Sequence, residues 1–75
     1  MRELLLQLAK ALVDHPEAVE VREVRGDRSI IFEVKVHSDD VGKLIGRKGR
    51  IIEALRTIFQ AASAKQHMKS NIELV

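Results

Sequence analysis

The chain has no cysteine, tryptophan or tyrosine, and its 75 residues include one proline, four glycines and two phenylalanines. Without cysteine there is neither a disulfide nor a thiolate metal site, so stability must come from packing. Phe32 and Phe59 are too few to build a surface that stacks planar ligands. No apolar run approaches the ~18 residues of a membrane span. Glu3, Gln7 and Lys10 interrupt the leucine-rich start, which therefore reads as an amphipathic helix rather than a signal peptide. A cytoplasmic protein with no membrane partner is expected. A chain this short buries only about 60% of the surface it exposes when unfolded. Residues 1–75 are expected to form one domain. Two lobes around a deep cleft do not fit, which disfavours an enzyme.

What is present is charge, and it is unevenly placed. Charged residues make up 32% of the chain, yet the net charge is only +2. Between Lys43 and Arg56 stand Lys43, Arg47, Lys48, Arg50 and Arg56 against Glu53 alone, a local +4 that leaves −2 for the remainder. A cationic segment on an otherwise slightly acidic chain points to a focused anionic partner.

Hydrophobic spacing predicts the elements. Leu4, Leu5, Leu8, Ala11 and Leu12 form the stripe of a helix that should end near Asp14, ahead of Pro16. Val19–Arg22 alternates with period two, and a turn at Arg25-Gly26-Asp27-Arg28 leads into a strand with Ile30, Phe32, Val34 and Val36 on one face. Val24 is out of phase with Val19 and Val21, which suggests a bulge near Arg22-Glu23. Ser38, Asp39 and Asp40 are N-cap candidates for a short helix from Val41 to Ile45. Ile51, Ile52, Leu55, Ile58, Phe59 and Ala62 then mark a long helix running to about Lys65, and 71–75 is a final strand. The fold class is α+β, in the order α-β-β-α-α-β: a three-stranded mixed sheet with three helices on one face.

The chemistry concentrates at Gly46-Arg47-Lys48-Gly49, between the short helix and the long one. Glycines let the backbone turn sharply and let another chain approach, because no Cβ intrudes. The following helix presents unpaired N–H groups and the positive end of its dipole, which favour an anion. Arg47 and Lys48 should project outward, with Arg50 adding charge in the first helical turn. A sugar–phosphate backbone suits these features.

Set in its flanking Ile45, Arg50 and Ile52, this loop resembles the GXXG loop of KH domains, and the element order resembles the type II KH topology over the whole chain. The run from Gly42 to Arg50, followed by Ile52, Ala54, Leu55 and Arg56, is most similar to the bacterial KhpA family of small RNA-binding proteins. The resemblance implies single-stranded RNA as partner, with the loop clamping about four nucleotides, and an RNA-chaperone or post-transcriptional role. It also implies a homodimer and a heterodimer with a KhpB-like multidomain KH protein. Gly46 and Gly49 would shape the loop, Arg47 and Lys48 would meet phosphates, and Lys43 and Arg50 would flank the path. Ile45, with Val41, Leu44 and the second strand, would floor a groove for bases. Such grooves are aliphatic, so the missing aromatics disfavour a stacking sheet and not RNA binding itself.

The remaining polar residues suggest less. Arg56 reads equally as a partner of Glu53 at i, i+3. Gly42-x-x-x-Gly46 offers close packing or nothing, since no apolar span surrounds it. His15, His37 and His67 lie far apart in sequence without ligand spacing, so neither a metal nor a cofactor is expected. The alternative function is a protein-interaction or dimerisation subunit on a KH scaffold, binding nucleic acid only incidentally.

Overall fold

A computed structural model describes residues 1–75. The elements run α1 (Arg2–Leu12), β1 (Glu20–Arg25), β2 (Ser29–Lys35), α2 (Val41–Ile45), α3 (Arg50–Ala64) and β3 (Lys69–Leu74). Short 3-10 turns at Pro16–Ala18, Ser38–Asp40 and Arg47–Gly49 join them. The sheet order is β1-β2-β3, with β1 antiparallel to β2 and β2 parallel to β3. A parallel neighbour requires a long return connection, and α2 with α3 provides it. The predicted α+β fold, its mixed sheet and its three helices are all present.

Alternation along β2 decides the core. Ile30, Phe32 and Val34 are each no more than 1% exposed, on the face covered by the helices. Val19 and Val21 and, from β3, Ile72 join them. Leu5 and Ala9 of α1, Leu44 of α2 and Ile52, Leu55 and Phe59 of α3 close over this face. Phe32 and Phe59 meet edge to face with centroids 5.7 Å apart. Burying each large side chain contributes about 1.5–3 kcal/mol, so the sheet–helix layer supplies the stability that no crosslink can.

Three predicted details are corrected. The stripe of α1 is rotated: Leu5 and Ala9 are buried, while Leu4 is 55% exposed and Ala11 and Leu12 face solvent. The stripe is centred on Leu5 and Ala9 with Leu6 and Leu8 packed at its flanks, and at about 100° per residue that centring turns Leu4 to solvent. The bulge near Arg22-Glu23 is absent, because the register runs one to one from Glu20↔Lys35 to Arg25↔Ile30. Val24 pairs with Ile31 on the open face of the sheet, where an isolated exposed apolar residue is ordinary. The third correction concerns Asp40. Its side chain makes no cap bond to α2 and is fully buried in other contacts.

Candidate nucleic-acid interface

The loop between α2 and α3 has a backbone that few sequences tolerate. Gly46 sits at φ 80°, ψ 172°, a region essentially reserved for glycine. A Cβ there would lie 2.6 Å from the Ile51 side chain. Gly49 is left-handed at φ 74°, and Lys48 joins it at φ 56° although it carries a full side chain. A left-handed non-glycine residue is uncommon and costs energy. The loop thus holds Lys48 on its outer surface in an unusual backbone conformation, immediately ahead of the α3 N-terminus.

Arg47, Lys48 and Arg50 are exposed, and none makes an ion pair or side-chain hydrogen bond. Beside the loop runs an open groove of about 470 Å³, lined by Ile45, Ile52, Arg56, Glu73 and Leu74. The groove therefore lies between the helices and β3. It does not reach β2, which is the central strand and turns its apolar face into the core. Of the three apolar residues predicted beside it, only Ile45 lines it. Leu44 is core at 1% exposure, and Val41 lies on the surface. Residues 52, 56, 73 and 74 were missed as lining residues. Once β3 is recognised as the edge strand parallel to β2, its position beside the groove follows.

Two cations of the basic segment are committed within the fold. Arg56 donates from Nε and Nη2 to the Ile72 carbonyl at 3.1 and 3.0 Å and pairs with Glu53 at 2.6 Å. It ties α3 to the groove edge of β3. Lys43 Nζ lies 2.7 Å from Asp14 and 3.7 Å from Asp40. Its hydrogen bond to Asp14, and that carboxylate's charge, hold its pKa above the ordinary lysine value. Gly42 makes no close packing, since a Cβ added there would meet nothing within 4 Å.

Asp40 organises the other end of α2. Its carboxylate accepts from the backbone N–H of Asp14 at 3.3 Å and of His15 at 2.9 Å, and its Oδ2 lies 3.0 Å from His15 Nδ1. Burial pushes its pKa up, but the contacts from His15 and Asp14 outweigh that and keep it below the usual carboxylate value. Two of the histidines that lie far apart in sequence meet in the fold: the His15 and His37 rings stack with centroids 4.1 Å apart.

A larger depression of about 540 Å³ lies on the open face of the sheet, lined by Glu20, Val21, Arg22, Glu33, Lys35 and Val75. Its charged residues are balanced in sign, and Arg22 pairs with Glu33 at 2.8 Å. A polyanion gains little there.

A two-layer α-β-β-α-α-β domain with a glycine loop of this conformation between its second and third helices is a type II KH fold. The family model for the KH domain of KhpA and KhpB matches residues 2–74. The chain belongs to this KhpA/KhpB KH-domain family. It is 49% identical over 75 residues to the RNA-binding protein KhpA of Caldanaerobacter subterraneus subsp. tengcongensis, and 49% identical to that of Clostridium perfringens, with both chains fully covered in each case. The RNA-binding protein KhpA of Chlamydia muridarum is 40% identical, over all of this chain and 96% of the relative. No solved structure matches significantly.

Proposed function

We propose that the protein is a single-stranded RNA-binding protein that holds the RNA backbone on its glycine loop. The observation that carries this reading is the trio Arg47, Lys48 and Arg50, exposed and unpartnered on the segment between Ile45 and Ile52, two residues that line the groove. Gly46 and Gly49 keep the loop low enough for a phosphate chain to pass, and the α3 N-terminus adds its dipole. Ile45 and Ile52 offer an aliphatic floor on which bases rest. Lys43 contributes less, because its charge is engaged by Asp14 and Asp40. The full-length relatives named as RNA-binding proteins support the same reading.

The role is binding without catalysis, by one KH module spanning residues 1–75. A single groove makes few contacts, so affinity per site is modest and many transcripts are accepted, as suits an RNA chaperone in the cytoplasm. Self-association, or pairing with a KhpB-like multidomain KH protein, would add avidity. Exposed Leu4 and Ile58 offer apolar surface for such contacts. If about four phosphates are neutralised, log K falls with log salt at a slope near −2.8.

The test is binding of a fluorescent single-stranded RNA to the protein and to Arg47→Asp/Lys48→Asp. A folded double variant that no longer binds supports the reading. Unchanged affinity in that folded variant overturns it and favours a protein-assembly subunit.

A further inference from the structure

Outside the groove, the fold brings together three metal-ligating side chains that the sequence keeps apart. His15 lies in the connection after α1, and His37 and Asp39 in the connection between β2 and α2. One donor atom from each lies within 4.8 Å of the other two. The two rings are near-parallel, 16° apart. All three side chains reach solvent, with exposures of 38%, 41% and 74%.

We propose that His15, His37 and Asp39 form a binding site for a late first-row divalent cation such as Zn²⁺ or Ni²⁺, with water completing the coordination. Two imidazoles and one carboxylate suit those ions, whereas Mg²⁺ and Ca²⁺ prefer oxygen donors. The spacing is close to what such an ion needs. Donors about 2.1 Å from a tetrahedral ion stand roughly 3.4 Å from one another. His37 Nδ1 and Asp39 Oδ2 are already 3.6 Å apart. The stacked rings must turn out of their parallel arrangement for both imidazoles to face one ion, and both side chains have the solvent-exposed surface to do so.

The surroundings prepare His15 in particular. Its Nδ1 is engaged by Asp40 Oδ2 at 3.0 Å, so Nε2 is the nitrogen left for a ligand. Asp40 is fully buried and is itself fixed by the Asp14 and His15 amides. A rigid carboxylate behind a ligating histidine sets the ring's tautomer and direction. On the other ring, His37 Nδ1 accepts the Asp39 amide at 3.1 Å. A cation between that nitrogen and the Asp39 carboxylate takes over the ring's lone pair, so the amide keeps its proton and turns to water. Lys43 does not repel it strongly, because Asp14 and Asp40 balance that charge. His67 lies in the turn after α3, outside the cluster, and provides an internal control.

The experiment is calorimetric titration of the tag-free, full-length protein with Zn²⁺ and Ni²⁺, accompanied by the absorption spectrum of added Co²⁺. One site per chain is expected, with no heat from Mg²⁺. His15→Asn and His37→Asn should each weaken binding at least tenfold, His67→Asn should leave it unchanged, and Asp40→Asn should cost ~10- to 100-fold. Circular dichroism checks each fold. If Asp40→Asn does not fold, the exposed His37→Asn decides. Full affinity in folded His37→Asn, or an equal loss in His67→Asn, overturns the proposal.

Discussion

The two ends of α2 use the same kinds of residue in opposite ways. At its N-terminal end, Asp14, Asp40, Lys43 and His15 satisfy one another, and the central carboxylate is inaccessible to solvent. At its C-terminal end, Arg47, Lys48 and Arg50 have no partner, and the loop that carries them is left-handed at Lys48 and Gly49. The first cluster joins α1 to α2. The second leaves its charge available to something outside the chain. Charge density in a sequence therefore says little until each cation has been checked for an internal partner: of five in the basic segment, Lys43 and Arg56 have one.

Substitutions separate the two ends. The largest expected effect on binding comes from Arg47→Asp/Lys48→Asp. Single-stranded RNA affinity should fall by about 100-fold or more, and the salt slope should shrink by roughly 1.4, the share of two phosphates. The melting temperature should barely move, because neither side chain touches the fold. Asp40→Ala is expected to do the reverse. It strands the Asp14 and His15 amides, so thermal unfolding should show a midpoint lower by on the order of 10 °C. Any chain that remains folded should bind RNA as before.

Gly46→Ala tests the loop backbone directly. Its φ of 80° and the Ile51 side chain leave no room for a Cβ, so urea denaturation should show a loss of about 2–3 kcal/mol. A smaller contrast compares two cations across α2. Arg50→Ala should weaken RNA binding severalfold and leave stability unchanged, while Lys43→Ala should lower stability more than affinity. Equal losses of affinity from both would erase the distinction between the two ends. The smallest effect is expected from Gly42→Ala, which fills open space on a helix and should raise stability by about 0.5–1 kcal/mol.

Much of this was legible in the residues. The period-two run of β2, the long stripe of α3 and the Gly26 turn each carry a local signal stronger than any competing one. The loop was equally plain, because two glycines and two cations between helices have a direct physical meaning. Less was legible where a residue had two local uses. Asp40 stands where an N-cap belongs, yet its carboxylate is taken by amides 25 and 26 residues earlier in the chain. Leu4 and Leu5 both fit a stripe, and only the sheet beneath α1 selects between them. Val24 breaks the alternation without bending the strand.

By itself, the sequence determined the α-β-β-α-α-β order, the apolar residues of the two central elements and the position of the glycine loop. These follow from short-range periodicity and from conformations that only certain residues adopt. Tertiary structure alone decided which cations are free, that the groove runs along β3 and not β2, and that His15 stacks on His37. Apart from the Arg56–Glu53 pair, those facts depend on contacts between residues 16 or more positions apart. A chain with almost no aromatics and no cysteine thus has its chemistry placed by long-range contacts around one five-residue helix.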